Sequence, residues 1–389
     1  MDRPCLTAVA TTARQAQIDN LWNEFVAAVV PLASTIVKER HLPPDARTIK
    51  PIDGVGGIAG GDKFIVDGVF LKFANDVSTN GLYGGDEHAA KAAGRELAHL
   101  RQIVAASASV PYVHVPLCAV VDAFGMRVLA QSVLPVSGKT LALGSSDAGK
   151  TIQVHPDLVG KATQLGTALN LKPHEVKGTT VPFAVDVEGH LGRDGRRYIL
   201  DTARLMPPAS DFAPSVLAST VYCRRAQGGI KEPASLGKLN LPTTLADVVA
   251  GVADPAFPLV VFCHHRLRAP HLHRLLRPEW VASSPTPLSG DAFSRFGATD
   301  AAKHNAEVAA ATAAMLTEGI SAAAAALDDT PADSPPDAIK AVLHRVGVNM
   351  RYLGRVLRAT KSVAMRRACA IEIIARTFAH VLNADMRAR

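Results

Sequence analysis

The residues best suited to chemistry in this chain lie between Val185 and Pro208, which gather Asp186, Glu188, His190, Asp194 and Asp201 around a short apolar frame. Asp194-Gly195 supplies the residue types that tolerate a positive φ in a hairpin turn. Arg197 to Leu200 reads as a strand that delivers Asp201 at its end, and Pro207-Pro208 stops a helix from starting just beyond. A carboxylate at the end of a buried strand must be solvated, paired or bound to a cation. Upstream, Lys72 falls on a predicted strand and Glu96 on a predicted helix. A strand lysine that holds phosphates, a helix glutamate that pairs with it and a later aspartate that carries Mg²⁺ are the working parts of phosphoryl transfer. On that reading Lys72 and Glu96 hold the nucleotide, Asp201 holds Mg²⁺ of an ATP–Mg complex, and Asp186 or Glu188 orients the acceptor. The structural alternative makes Lys72–Glu96 an ion pair and Asp186, Glu188 and Arg204 a buried salt-bridged network.

The elements that must position these residues follow the order of parts in a protein-kinase-like fold. A glycine-rich stretch (Gly54 to Gly61) precedes a hairpin, Lys63–Val66 and Val69–Phe73, around Asp67-Gly68. Asp86 to Val104 is a predicted helix, with Glu87 and Lys91 at supportive spacing. A second hairpin is expected over His114–Val121 and Met126–Val136, with its turn at Asp122–Gly125, then a helix over Leu158–Leu171. No H-R-D or D-F-G sequence accompanies this order. After Pro208 prolines punctuate the chain to about residue 290, and periodic helices dominate from Thr299. The expected class is α+β: antiparallel hairpins with helices, on a kinase-like frame in the enzymatic alternative, followed by an all-helical C-terminal region. The expected divisions are a helical lead-in over 1–50, a central domain over 51–290 and a helical region with a basic tail over 291–389.

Composition narrows the classes. Hydrophobic residues make up 48% and charged residues 20%, the balance of a globular rather than a disordered chain. Five scattered cysteines without a C-x-x-C pair point to reduced thiols in a cytoplasmic setting. No targeting segment is evident, and Phe25–Val37 is short for a membrane span and contains Pro31, so it reads as a buried helix and no membrane insertion is expected. The net charge of +7 is concentrated at one end. From Arg345 to Arg389 ten basic residues face only Glu372 and Asp385, a net +8. Arg351, Arg355, Arg358, Lys361, Arg366 and Arg367 are therefore the expected polyanion or RNA contacts. The helices predicted over Ala338–Leu357 and Val363–Leu382 should pack Val342, Val346, Leu353, Val356, Ile373, Phe378 and Val381 inward and leave the arginines outside. Tyr352 and Phe378 are the aromatics available there for base stacking.

Two other motifs call for blander readings. Gly144 to Thr151 matches the phosphate-loop pattern G-x-x-x-x-G-K-T, yet the β-prone Thr151–Val154 and Pro156 follow where a helix should begin, so a hairpin or surface loop is expected. Cys263-His264-His265 with His271 and His273 lacks a second half for a tetrahedral metal site and is interleaved with arginines, so it reads as a basic surface.

The run D-x-E-G-H-x-G-x-D-G-R-x-Y-x-L-D-x-x-R-x-x-P-P from Asp186 to Pro208 resembles the Clu domain of the clustered-mitochondria family. So do Lys72-Phe-Ala, Ala93-Gly-Arg-Glu96-Leu97, Gly144 to Thr151, Leu169-Asn-Leu-Lys172, Leu276-Arg-Pro-Glu279 and His344-Arg-Val-Gly347-Val-Asn349-Met-Arg351-Tyr352-Leu353-Gly354. The resemblance implies a cytoplasmic binding protein connected with mitochondrial distribution and messenger-RNA binding, reaching the mitochondrial surface only indirectly, with no cofactor. Family members also carry a ubiquitin-like region and tetratricopeptide repeats, for which 389 residues leave no room, so a Clu domain with its following helical region is expected.

Overall fold

In a computed structural model the described residues are 8–56, 59–77, 82–211, 272, 274–335 and 337–388. The cysteine-histidine cluster at Cys263–His265, His271 and His273 lies outside them, as do the structures of Cys5 and Cys223.

Two sheets organise the α+β part. The first has order β1-β2-β5-β4, built from β1 (Lys63–Val66), β2 (Val69–Phe73), β4 (Cys118–Ala123) and β5 (Met126–Ser132). Asp67 and Gly68 both take positive φ, so the β1–β2 turn uses the two residue types that accept it. Phe124 and Gly125 do the same between β4 and β5, and Asp122 and Ala123 belong to the strand rather than to the turn. Side chains alternate along β2, with Val69, Leu71 and Phe73 buried and Lys72 half-buried on the opposite face. One side of this sheet takes α1 (Ala8–Lys38), whose Phe25, Val29, Ala33, Ile36 and Val37 close a core with Phe64, Leu71, Phe73 and Val128. The other side takes α2 (Asp86–Ala106) through Ala93 and Leu100 against Leu129 and Cys118.

The second sheet has order β3-β11-β10-β6-β7: β3 (Val113–His114), β6 (Leu141–Gly144), β7 (Gln153–Val154), β10 (Glu188–Leu191) and β11 (Arg197–Leu200). The expected long strand from His114 is thus divided. Val113–His114 runs parallel to β11, and the chain crosses to the first sheet at Pro116, which has no amide to give either ladder. α3 (Pro156–Ala168) covers this sheet, and β8 (His174–Val176) with β9 (Thr179–Val181) forms a separate hairpin that the sequence reading did not anticipate.

The C-terminal helices are α4 (Pro278–Ser283), α5 (Ala301–Ala314), α6 (Ile320–Asp328), α7 (Ala338–Arg345), α8 (Leu353–Ala359) and α9 (Val363–Ala388), with a π turn over Met315–Gly319 joining α5 to α6. One apolar core runs from Ile103, Leu158 and Ile199 through Leu276, Met315 and Leu343 to Cys369, crossing residue 290 without a break. The helix expected over Ala338–Leu357 is interrupted, because Gly347 turns at φ 77° and its α-hydrogen faces the backbone of Trp280, where a Cβ would come within 2.6 Å of the amide nitrogen. Asn349 then caps the next turn by accepting from the amide of Arg351. Ala16–Lys38 and Ala301–Asp328 are long and apolar enough to cross a membrane, and each lays one face on a core of this protein.

Candidate functional site

Lys72, Glu96 and Asp201 line one small cavity together with Gly60, Phe73, Ala74, Tyr83, Ala93, Leu129 and Ala203. Each arrives by a different route. Lys72, with Phe70, lies on the face of β2 turned away from the core of α1, in register with Lys63 and Leu129. Gly60, at φ 81°, lies so close to the Lys72 stem and the Phe73 carbonyl that a Cβ would come within 2.9 Å of the stem and 2.7 Å of that oxygen. Glu96 stands on the buried face of α2. α2 is fixed at that level by two bonds to one residue: the His99 Nδ1–H donates to the Thr202 carbonyl (2.7 Å), and the Thr202 hydroxyl donates to the Glu96 carbonyl (3.1 Å). Asp201 precedes Thr202 in a left-handed conformation, φ 54° and ψ 48°, which turns the chain out of β11.

The charges in this cavity do not cancel. Among the described residues Lys72 and Glu96 make no contact of ion-pair length; a Glu96 oxygen instead accepts from Gln131 Nε2 at 3.3 Å. The expected direct pair is therefore not formed, because the α2 register set by Thr202 presents Glu96 to β5. Burial raises the Glu96 carboxyl above its ordinary value, although the Lys72 charge opposes this. Asp201 keeps exposed surface yet is raised further, first by lost hydration and then by the negative charge of Glu96. The two carboxyls titrate as a pair that holds a proton more readily than either would alone. With about 30 Å³ of space, the cavity admits little more than a water molecule or small ion. Among the described residues no group of three or more metal-ligating side chains forms.

Asp186 and Glu188 are engaged elsewhere. Arg204, only 5% exposed, meets Asp186 at 3.3 Å and Asp291 at 2.8 Å and donates to the Gly290 carbonyl. Asp291 also accepts from His174 Nε2 (2.9 Å) and from the amide of Val185 (2.9 Å). Burial alone would raise the Asp291 carboxyl, but the His174 bond and the Arg204 charge hold it below the usual value. Glu188 accepts from His190 Nε2 at 3.1 Å. Asp194 leaves the group altogether, since it sits in the turn and accepts from the Tyr198 hydroxyl at 2.7 Å. The sequence reading found Arg204 and Asp186 but missed Asp291, which arrives from a distant loop, and His174, which opens β8, because no local pattern announces either.

The G-x-x-x-x-G-K-T run is a closed turn between β6 and β7. The Ser145 hydroxyl donates to Asp147 and accepts from the Gly149 amide, while Asp147 accepts from the Thr151 amide and hydroxyl. The Gly149 and Thr151 amides, which a phosphate cradle would need free, are thus spent within the loop.

The basic tail is sorted by packing. Arg355, Arg358, Lys361 and Arg367 are exposed, and none has a carboxylate within ion-pair distance among the described residues. Arg351 instead turns inward, donating to the Leu275 carbonyl (3.2 Å) and the Tyr352 hydroxyl (3.0 Å) and stacking 4.7 Å from that ring. Arg366 is half-buried. Tyr352 is buried and cannot stack a base, and the expected inward face of α9 is corrected too: Phe378 and Val381 are 68% and 60% exposed because α9 runs on past the core.

A family model described as clustered mitochondria matches residues 1–212, more than half of the chain. The chain belongs to the clustered-mitochondria family. A clustered mitochondria protein homolog of Phaeosphaeria nodorum is 26% identical over 387 residues, covering 83% of this chain and 29% of that protein. One from Aspergillus fumigatus is 25% identical over 372 residues, covering 83% and 28%. The chain thus spans less than a third of the length of these curated relatives. Residues 329–389 match a second model, translation initiation factor eIF3 subunit 135. No solved structure matches.

Two outcomes test the geometry of the Clu domain. Arg204→Ala leaves Asp291 buried without its guanidinium and should lower unfolding stability by roughly 3–5 kcal/mol, read from urea denaturation. Glu96 has a folded value above its unfolded one, so ionising it costs stability above that folded value and nothing below about pH 4.5. Glu96→Gln should therefore melt higher than the parent chain at pH 7, with the difference shrinking to zero as the pH falls below 4.5; a difference constant with pH would contradict this.

Proposed function

We propose that this chain is a cytoplasmic binding module that engages RNA, free or as ribonucleoprotein, through Arg355, Arg358, Lys361 and Arg367. The observation that carries the reading is that these four cations stand in solvent on α8, in the link after it and at the start of α9 without carboxylate partners among the described residues. A surface of unpaired cations releases counterions when it meets a phosphate backbone, which gives affinity without sequence preference. Support comes from the match of this segment to a translation initiation factor subunit. Contact with mitochondria and a part in their distribution would follow through the bound ribonucleoprotein, without membrane insertion. Phe378 is the exposed aromatic of the segment, so sequence preference should be weak. Neutralising four phosphates on single-stranded RNA gives a log–log salt slope of about −3. Filter binding of a random RNA across a salt series should show that slope, and charge reversal at the four positions should remove binding. Absence of binding at low salt, or binding indifferent to the reversal, would overturn the proposal.

A second reading, a kinase-like phosphotransferase with ATP and Mg²⁺, is favoured by one observation: Lys72, Glu96 and Asp201 converge on one cavity. It requires the cleft to widen, because the present space does not admit a nucleotide. A rise in melting temperature with ATP plus Mg²⁺ that Asp201→Asn abolishes would support it. No rise at millimolar ATP removes it.

A further inference from the structure

Where α1 ends, the chain meets the β4–β5 turn and the last turn of α9 around an open groove of about 360 Å³. Lys38, Arg40, His41, Phe124 and Met386 line it. Direct contacts hold its three walls together. Arg40 donates to the Val37 carbonyl at the end of α1 (3.1 Å) and to the Met386 carbonyl on α9 (3.5 Å). Arg387 donates to the Gly125 carbonyl (3.0 Å), and a Cβ on Gly125 would come within 2.6 Å of the Asn383 carbonyl oxygen, so α9 sits directly on the turn. Arg47 donates to the carbonyls of Arg40 (3.0 Å) and Leu42 (2.9 Å), which brackets His41. The groove is therefore built before a ligand arrives, and binding needs little further ordering.

Its charges are unmatched. Lys38 and His41 are exposed and Arg40 is part-exposed. Among the described residues no carboxylate comes within ion-pair distance of any of the three. Glu39 and Asp122, which flank these segments, face other partners. Glu39 accepts from the Thr48 amide (2.7 Å) and hydroxyl (2.6 Å), and Asp122 accepts from Arg127 Nε and Nη2, both at 2.6 Å. The carbonyls that Arg40 meets fix its guanidinium without neutralising it. On the turn, Phe124 keeps 48% of its surface in solvent while holding φ 48°, a left-handed backbone unfavourable for a residue with a Cβ.

We propose that this groove binds a purine nucleoside monophosphate, with the phosphate on Lys38, Arg40 and His41 and the base on Phe124 and Met386. Two adjacent cations suit a phosphomonoester, which carries about −1.5 to −2 charges near pH 7, better than a single carboxylate. An exposed aromatic face takes a base by stacking, and a purine offers the larger ring. The volume fits a small organic ligand and exceeds what a bare phosphate fills. Arg367 lies near the start of α9 and Met386 near its end, roughly 28 Å apart at 1.5 Å per residue. The inference therefore does not rest on RNA binding through α8 and α9. The same group occurs free and as the 5′ end of an RNA.

The experiment is calorimetric titration of the full chain with AMP at fixed ionic strength. One saturable site per chain is expected, with adenosine and inorganic phosphate each binding about tenfold more weakly or worse, since each lacks half of the contacts. Phe124→Asn suits the left-handed backbone and should weaken AMP binding about tenfold, the worth of one base–aromatic stack. Lys38→Glu, at an exposed position, should weaken it at least as much by reversing one of the two charges. Both variants should melt like the parent chain; should either melt lower, the comparison of AMP with adenosine and phosphate on the unaltered chain still decides. No binding at millimolar AMP, or binding indifferent to either substitution, would overturn the proposal. So would binding removed by Asp201→Asn or by reversing Arg355 and Arg358, and so would phosphotyrosine bound in preference to AMP. RNA oligonucleotides with a 5′-phosphate or a 5′-hydroxyl, titrated into the chain with Arg355, Arg358, Lys361 and Arg367 reversed, separate the sources. A Phe124-dependent preference for the 5′-phosphate identifies an RNA end, and AMP binding without that preference identifies the free nucleotide.

Discussion

Arg204 is a permanent charge placed where water does not reach, and three distant parts of the chain are arranged around it. Its guanidinium needs carboxylates, so Asp186 comes from the segment before β10 and Asp291 from the loop beyond α4. Asp291 in turn needs more than one donor, so His174 and the Val185 amide converge on it. A charge this deep must be matched by opposite charge, and two carboxylates match it even though its Nε has no hydrogen-bond partner. The set therefore fixes the acidic hairpin against the helical region far more specifically than apolar packing alone would. The uninterrupted core from Ile103 to Cys369 runs through the same region.

One step along the chain, the same segment sets the cavity. Thr202 grips α2 through His99 and the Glu96 carbonyl, two residues before Arg204. The hairpin thus transmits its position to α2, and α2 sets how far Glu96 stands from Lys72. The result is a cavity in which two carboxyls share one lysine without a direct contact, so that their joint titration, rather than a salt bridge, describes it. Chemistry of the phosphoryl-transfer kind needs the lysine and glutamate paired and room for a nucleotide. The RNA-binding reading needs neither, only an exposed cationic surface, which α8 and α9 provide.

Much of the local structure was legible in the residues. Asp67-Gly68 announced its hairpin, and Gly195 supplied the positive φ of the β10–β11 turn, because few residue types accept that backbone. α2 was legible from its period, and the closed turn at Gly144–Thr151 from the β-prone residues that follow it. The convergence of Lys72, Glu96 and Asp201 was legible only as an order of parts. Asp291 and His174 were not legible at all. Asp291 meets Arg204 across 87 residues of chain, and nothing near Asp291 distinguishes it from a loop aspartate.

The sequence by itself determined the turns, the period of the helices, the net +8 of the tail and the membership in a family, since each depends on residue types at short spacing. Only the tertiary structure decided which charges are spent. Arg351 and Arg355 are four residues apart in the same basic run, and composition does not separate them. Packing does: Arg351 turns in toward Leu275 and Tyr352 while Arg355 stays in water, because whether a charge is desolvated depends on what folds over it.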